Sequence, residues 1–265
     1  MAILYIASHL CDNKDKNDEV NKMNTPTAKI THLFHSGYAV ETAEHFLIFD
    51  YYQPLPGNGI AEGIITGDYL KTKKKIFVFV SHNHADHFDP IILDWAKDNR
   101  AITYILSSDV LANTGQLNCH VLSAYEEMSA NQVLIKTFGS TDQGISFLLE
   151  VDGLTIFHAG DLNWWHWSGE SVDEQASAAS AFKAEIDKIT ARANEIDIAF
   201  FPVDRRMEEF YSIGAEYFAE KFKPKLLVPM HFGKDFAATQ AFANKAKKLL
   251  INTVQISHKG QEFLF

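Results

Sequence analysis

Cysteine and long hydrophobic runs are both scarce in this chain of 265 residues. Cys11 and Cys119 are its only cysteines, which excludes a disulfide framework and a thiolate zinc site. No apolar run approaches the roughly 20 residues of a membrane-spanning helix. The apolar start, residues 1–10, has neither the basic segment nor the small-residue cleavage site of a signal peptide. We therefore expect a cytoplasmic protein that does not associate with a membrane.

Positive charge is also in short supply. The chain has 24 Lys and Arg against 34 Asp and Glu, a net charge of −10. Tight non-specific binding to nucleic acid needs a basic surface, so nucleic acid is not an expected partner. Apolar residues, in contrast, make up 46% of the chain and include 20 Phe. A large hydrophobic core can therefore form without covalent cross-links.

Two regions differ in composition. Residues 1–27 contain the polar tract 12–19 and a second methionine, Met23, and we expect them to be an extension outside the core fold. Residues 28–265 show no repeat and no low-complexity linker, and are predicted to form a single domain.

Short apolar or alternating runs rich in β-branched and aromatic residues predict most of the strands. They are Ile30–Phe34, Ala39–Val40, Phe46–Phe49, Ile76–Val80, Ile102–Leu106, Val133–Phe138, Ile145–Val151, Leu154–Phe157, Ile198–Pro202, Leu226–Met230 and Val254–Ile256. Apolar residues at helical spacing, with suitable ends, predict helices at Pro90–Lys97, Asp173–Ala193, Ile213–Phe222 and Asp235–Leu250. The order predicts an α/β fold in which a two-layer β core has helices packed outside.

The most informative segment follows the strand Ile76–Val80. His82, His84, Asp86 and His87 lie there within six residues. Imidazole nitrogen and carboxylate oxygen suit divalent metals such as zinc. Residues two apart share a face of extended chain, so His82 and His84 can bind one ion, while a turn would direct Asp86 and His87 toward a second point.

Other polar residues also end predicted strands. Asp161 ends the run 156–161, His231 ends the run 227–231, and Asp50 follows Phe46–Phe49. Buried carboxylates and imidazoles are costly unless they are paired or bind a metal, so these residues indicate one shared site. Asp50 is better placed to hydrogen-bond a ligand than to be one.

The sequence His82-x-His84-x-Asp86-His87, followed by Gly160-Asp161 and His231, resembles the metallo-β-lactamase superfamily over residues 29–265. The resemblance implies an αββα sandwich, with two mixed β-sheets, outer helices and a two-metal site at the sheet ends. It implies that His82 and His84 bind the first metal, that Asp86, His87 and His231 bind the second, and that Asp161 bridges both. The segments 31–37 and 157–161 are similar to the branch that includes ascorbate-phosphate lactonase.

The chain departs from that family at one ligand. The superfamily usually supplies a third histidine to the first metal from the loop that here is residues 138–144, and this loop has no histidine. Ser140 aligns with the missing ligand. Either Asp142 replaces the imidazole, or the first site has three protein ligands and is weaker; Asp142 could equally be a turn residue. We expect two divalent ions, zinc first, with manganese or iron as alternatives because an oxygen ligand favours them.

Four further residues are candidates for substrate binding. Trp165 and His166 follow the predicted bridging aspartate and could form a wall over the metals, or simply pack. Arg205, as part of the pair Arg205-Arg206, could bind a phosphate or carboxylate, or form a surface ion pair. His35 could line the site or be a hydrogen-bonded core residue.

These residues together predict a metal-dependent hydrolase. A metal-bound hydroxide would cleave an ester, lactone or phosphodiester bond of a small-molecule substrate, with Asp86 and Asp161 as catalytic residues. One alternative is a non-haem iron oxidoreductase. Another is a non-catalytic metal-binding relative with an incomplete first site. A homo-oligomer is compatible with the sequence.

Overall fold

The computed structural model describes residues 27–193 and 195–265. The predicted N-terminal extension, apart from residue 27, lies outside the described residues. The strands are β1 (Lys29–Phe34), β2 (Gly37–Glu41), β3 (Phe46–Phe49), β4 (Ile76–Val80), β5 (Thr103–Ser107), β6 (Cys119–Leu122), β7 (Glu127–Ala130), β8 (Val133–Phe138), β9 (Ser146–Val151), β10 (Leu154–His158), β11 (Ile198–Pro202), β12 (Leu226–Met230) and β13 (Glu262–Leu264). The α-helices are α1 (Gly67–Lys71), α2 (Ile91–Asp94), α3 (Val172–Thr190), α4 (Ile213–Phe222) and α5 (Phe236–Lys248).

The strands form two mixed sheets. The first has the order β13-β1-β2-β3-β4-β5-β6, and the second has the order β12-β11-β10-β9-β8-β7. Strands β3, β4, β5 and β6 run parallel to one another, as do β10, β11 and β12. Consequently the carboxyl ends of β3 and β4 lie together in one sheet, and those of β10, β11 and β12 lie together in the other.

Strand β4 shows how the layers are built. All five of its residues are buried because both faces of the sheet are covered. Phe77 and Phe79 point into the core between the sheets, whereas Ile76, Val78 and Val80 pack in a second core. That second core also holds residues of α1 and α2, among them Leu70 and Ile92.

The second sheet is covered in the same way by α3, α4 and α5. Phe157 of β10 stacks on Phe218 of α4 at 4.9 Å between ring centroids. On the other face of that sheet, Phe200 of β11 meets Tyr38 of the first sheet at 4.7 Å. Burying each such ring contributes about 1.5–3 kcal/mol. The result is the four-layer αββα sandwich that the sequence resemblance implies.

Most predicted elements are confirmed to within one or two residues. Ser171 begins α3 with a capping box, its hydroxyl accepting from Glu174 N while Glu174 accepts from Ser171 N. Asp152 and Gly153 form the predicted hairpin turn between β9 and β10, both with positive φ.

Some expectations are wrong. Val254–Ile256 is not a strand; only Thr253, just before it, makes an isolated bridge to Leu227. Pro90–Lys97 is a short α2 followed by a turn of 3₁₀ helix. Strands β6, β7 and β13 were not predicted, since they are edge strands that are only partly buried and lack a clear apolar pattern. Within the part of the chain that the structure describes, no helix has the length and apolarity to cross a bilayer.

Candidate metal centre

Polar residues that follow five strands meet at one end of the sandwich. Asp50 follows β3, His82 follows β4, Asp161 follows β10, Asp204 follows β11 and His231 follows β12. Apart from Thr155 and His158 of β10, these strands consist of apolar residues to their last position, so most polar residues begin where the sheets end. Parallel strands present these ends at the same edge, so residues far apart in the chain come into contact.

The first group of metal-binding side chains is called here the histidine–aspartate cluster: His82, His84 and Asp161. His82 Nε2 lies 3.0 Å from His84 Nδ1 and 3.4 Å from Asp161 Oδ2. One atom of each residue lies within 4.8 Å of the others. The sequence predicts these three residues for the first metal, and the structure brings them together.

The second group is called here the three-histidine cluster: His35, His87 and His231. It also spans at most 4.8 Å between its nitrogen atoms, and all three residues are buried. His87 and His231 were predicted for the second metal, but His35 was expected only to line the site. Asp86, the other predicted ligand, lies at its edge, with Oδ2 3.4 Å from His35 Nε2 and 47% of its side chain exposed.

Asp161 stands between the two clusters. Its Oδ2 faces His82, whereas its Oδ1 is 3.2 Å from His87 Nε2 and 3.2 Å from His231 Nε2. A carboxylate that directs one oxygen to each of two donor groups is able to bridge two cations. This is the position that the sequence resemblance implies for Asp161.

Three neighbouring side chains orient the imidazoles. Asp50 Oδ2 accepts from His87 Nδ1 at 2.8 Å, and Asp204 Oδ2 accepts from His231 Nδ1 at 3.0 Å. Ser81 Oγ lies 2.9 Å from His82 Nδ1 and donates to Asp50 Oδ2. Each contact uses the Nδ1 atom and leaves Nε2 free to face the site, an arrangement common around metal-binding histidines.

Three buried polar atoms make no hydrogen bond of good geometry with the described residues. His35 Nε2, His87 Nε2 and Asp161 Oδ1 are all inaccessible to solvent, and the 3.2 Å contact between the last two does not meet hydrogen-bond geometry. Buried polar atoms without partners are rare because they lose their hydration without compensation. Here they point to the same small region. The residues therefore fit divalent cations, which would satisfy these atoms with the nitrogen and oxygen ligands that zinc, manganese and iron accept.

Charge coupling between the acids and imidazoles shifts their pKa values. Burial lowers the pKa of His231, but the adjacent Asp161 and Asp204 carboxylates outweigh burial and raise it to about 10. Burial would raise the pKa of Asp161, yet the neighbouring His231 and His87 hold it well below its usual range. The pKa of His87 is raised despite burial, through Asp161 and Asp50. Without metal, protons on these histidines therefore balance the carboxylates.

This protonation predicts that metal binding releases protons. With a pKa of about 10, His231 is protonated at neutral pH, and coordination requires its lone pair, so the proton must leave. Metal affinity should therefore fall as the pH is lowered. Calorimetric titration of chelator-treated protein with Zn²⁺, in two buffers of different ionisation enthalpy, measures the number released. His231→Ala should release fewer protons, whereas the control His258→Ala, at an exposed residue, should release the wild-type number. Proton release unaffected by His231→Ala would contradict this account.

Two glycines let the surrounding loops close on this centre. Gly144 has φ +71, and a Cβ there would lie 2.0 Å from Ser81 O and 2.5 Å from His82 Cβ. Gly160 has φ +54, and its Cβ would lie 2.8 Å from Ser81 Cβ. Only glycine adopts such backbone without strain and leaves room for the neighbouring chain.

The centre lies at the base of an open cavity of about 550 Å³. This volume suits a small molecule. Its lining includes His84, Asp86, Thr141, Asp142, Asp161, Trp165, Trp167, Glu170, Arg206 and His231. A larger cavity of about 750 Å³, beside Tyr217 and Leu250, is lined by none of the clustered metal-binding residues.

The remaining candidates take different positions. Trp165 lines the cavity, with Nε1 donating to Asp161 O at 3.1 Å and its ring 5.4 Å from that of His231. His166 instead packs on Phe210 at 4.0 Å and is not among the residues that line the cavity. Arg205 is half-exposed, pairs with Asp235 at 3.3 Å, and lines a second cavity of about 540 Å³ together with His35 and His231.

The loop in which Asp142 was one candidate to replace the missing histidine does not join either cluster. Asp142 is exposed on the cavity rim, and its backbone N–H donates to Ser140 Oγ at 3.2 Å. Within residues 27–193 and 195–265, neither donor group contains a residue from this loop. The histidine–aspartate cluster therefore offers three protein donors.

Two residues that shape the site were noted in the sequence only as members of the polar segment 204–206. Asp204 holds His231, and Arg206 lines the cavity while its Nε donates to Asp204 Oδ2 at 2.8 Å. The sequence signal for both residues is the polar segment directly after β11. Its two arginines suggested anion binding, but the sequence did not indicate that Asp204 would be a buried carboxylate.

Comparison with known proteins identifies a family and several relatives of this chain. The family model described as "Beta-lactamase superfamily domain" matches residues 29–170. A UPF0173 metal-dependent hydrolase of Bacillus licheniformis is 25% identical over 230 residues, covering 77% of this chain and 85% of its own length. The metal-dependent hydrolase YtkL of Bacillus subtilis is 26% identical over 225 residues, with the same coverage of each chain.

Solved structures share the fold. Igni18, a metallo hydrolase from Ignicoccus hospitalis, has a TM-score of 0.62 at 18% identity, over 90% of this chain and 98% of its own. CmlA, a diiron beta-hydroxylase from Streptomyces venezuelae, has a TM-score of 0.59 at 11% identity, over 91% of this chain and 54% of its own. With the αββα sandwich and the metal centre in place, the family match over more than half of the sequence means that the chain belongs to the metallo-β-lactamase superfamily.

Proposed function

We propose that this protein is a metal-dependent hydrolase that cleaves an ester, lactone or phosphodiester bond in a small molecule. The observation that carries the proposal is the position of Asp161, with one carboxylate oxygen toward each of two donor clusters. The relatives named metal-dependent hydrolases support the same reaction class. When bound, divalent cations supply an activated water and polarise the substrate oxygen.

The chain's own residues position the reactants. The Asp161 carboxylate contacts both donor clusters. Its backbone carbonyl accepts a hydrogen bond from Trp165 Nε1, which fixes its position. Trp165 and Trp167 stack at 5.8 Å and wall one side of the cavity. A fixed wall lowers the entropy lost when a substrate is oriented for attack.

Asp86 is placed to move a proton. Its Oδ2 lies 3.4 Å from His35 Nε2 and its carboxylate lines the cavity. Since about half of the side chain is exposed, Asp86 can take up a proton at Oδ2 and exchange it with solvent. This is the role we propose for it, beside ligation at the edge of the three-histidine cluster.

Arg206 favours a substrate with a negative or strongly polar group. Its guanidinium lines the cavity, is fixed by Asp204, and lies 6.0 Å from the centre of the Trp167 ring. Guanidinium groups bind phosphate and carboxylate oxygens in a defined geometry. Of the Arg205-Arg206 pair, Arg206 is therefore the residue that we propose for binding an anionic group of the substrate.

His84→Ala tests the proposal directly. We expect turnover of the best substrate in a screen of lactones, phosphodiesters and esters to be abolished, because the histidine–aspartate cluster loses one of its three donors. The fold should survive, since His84 is only partly buried. His120→Ala, on edge strand β6, is the matched control and should retain activity. A wild-type enzyme that carries two metals yet turns over none of the three classes would contradict the proposal.

Elemental analysis separates the alternatives. Iron with a visible absorption band would favour an oxidoreductase, and one ion or none per chain would favour a non-catalytic relative. We expect two ions per chain, with zinc first and manganese or iron as the other candidates, since both clusters supply imidazole nitrogens and Asp161 offers each cluster a carboxylate oxygen.

A further inference from the structure

His35 occupies a position that packing alone does not explain. It lies in the tight turn between β1 and β2, with φ +53, a conformation that histidine adopts at a cost in strain. Only 7% of the residue is exposed. Its Nε2 is buried without a hydrogen-bond partner and faces the same small region as the unpartnered Nε2 of His87.

The turn is fixed from two sides. His231 N donates to His35 O at 3.2 Å, which ties the β1–β2 turn to the end of β12 in the other sheet. At Gly37, a Cβ would lie 2.9 Å from Asp50 O, so the same turn presses against the end of β3. The His35 ring consequently lies 4.2 Å from the His231 ring and 5.3 Å from the His87 ring.

The two clusters are unequal in donors. The three-histidine cluster has three imidazoles, with Asp161 Oδ1 3.2 Å from two of them and Asp86 at its edge. The histidine–aspartate cluster has two imidazoles and the other oxygen of Asp161. A cation at the three-histidine cluster therefore meets at least four donors, whereas a cation at the histidine–aspartate cluster meets three.

We propose that His35 is a metal ligand of the three-histidine cluster and that this cluster binds its cation more tightly than the histidine–aspartate cluster does. The inference rests on the metal-dependent activity proposed above and deepens it. His35 adds a ligand to the three-histidine cluster, whereas the loop that contains Asp142 adds no ligand to the histidine–aspartate cluster. The ion at the histidine–aspartate cluster, with fewer protein donors, keeps more positions open for water and substrate.

Titration of the chelator-treated full chain with Co²⁺ tests this order of binding. Visible absorption of Co²⁺ reports its ligands, and quenching of Trp165, whose ring lies 5.4 Å from that of His231, reports filling of the three-histidine cluster. The wild type should bind two ions in two steps, the tighter of which quenches Trp165. His35→Asn keeps a residue that tolerates positive φ while withdrawing the donor. It should weaken the tighter step by about 100-fold, the upper end of what is lost when a residue that only orients a ligand is removed.

His84→Ala is the opposite case: it should remove the weaker step and leave the tighter step unchanged. Thermal unfolding of each chelator-treated variant checks the fold, and His35→Gly replaces His35→Asn if the latter does not fold, because glycine accepts φ +53 freely. His35→Asn with an unchanged tighter step, or His84→Ala with a lost tighter step, would overturn the inference while leaving the hydrolase proposal intact. A wild-type protein that binds no divalent metal would contradict both this inference and the hydrolase proposal.

Discussion

Asp161→Asn is expected to lower kcat/KM by about 1,000-fold or more. The carboxylate directs one oxygen to each cluster, so an amide in its place removes a negative charge from both metal positions. Metal-supplied charge stabilisation amounts to several kcal/mol, and each 1.36 kcal/mol corresponds to a tenfold change in rate. The variant should fold, because asparagine has the same shape and the neighbouring histidines can lose their protons.

Asp142→Asn is the matched control for Asp161→Asn. It makes the same chemical change on the rim of the same cavity, at an exposed residue outside both donor clusters. We expect it to change kcat/KM by less than about tenfold, with two metals retained after dialysis. An equal loss in both variants would show that Asp142 supplies the ligand that the missing histidine would provide. Full activity and metal content in Asp161→Asn would exclude a bridging role.

Asp50→Asn is expected to lower metal affinity, because it changes which ring nitrogen of His87 carries the proton. Asp50 is fully buried and accepts three hydrogen bonds, from Ser81 N, Ser81 Oγ and His87 Nδ1. An amide nitrogen opposite His87 would donate to Nδ1, so the ring proton would move to Nε2, the atom that faces the metal. A tautomer fixed the wrong way disables a histidine without displacing it. We expect metal affinity to fall by about 10–100-fold.

The same substitution should also lower stability. Loss of a charge-assisted hydrogen bond costs about 1.5–3 kcal/mol, measurable as a lower midpoint in urea unfolding of the metal-free protein. Asparagine tolerates the φ of +41 at this position, so backbone strain does not contribute. Burial would raise the pKa of Asp50, but His87 and the other nearby histidines lower it, which shows that the carboxylate is the form stabilised here.

Asp152→Asn is the control that separates the loss of metal affinity in Asp50→Asn from the loss of stability. Asp152 also has positive φ, accepts from His45 Nδ1 at 3.0 Å, and lies in the β9–β10 hairpin turn. We expect a similar loss of stability with unchanged metal affinity. If Asp50→Asn lowered stability alone, the orientation of His87 would not depend on Asp50.

Much of the fold follows from the local pattern of the sequence. The apolar runs of β3, β4, β11 and β12 were predicted with their observed bounds, because strands buried on both faces read as continuous apolar segments. Strand β8, whose residues are at first alternately buried and half-buried, was also predicted with its observed bounds. Helix α4 was also predicted with its observed bounds, ending before Pro224. Edge strands such as β7 and β13 were missed because half-exposed strands carry little apolar signal.

The sequence by itself determined that metal-binding side chains follow β4, β10 and β12, since that information lies in a few adjacent residues at the end of each buried strand. Only the tertiary structure decided which side chains lie together in each of the two clusters. It brought His35 from the β1–β2 turn beside His87 and His231, kept Asp142 on the rim, and made Asp204 the support of His231. These outcomes depend on turns with positive φ and on how two sheets meet at their ends, and neither is encoded in the periodicity of any one segment.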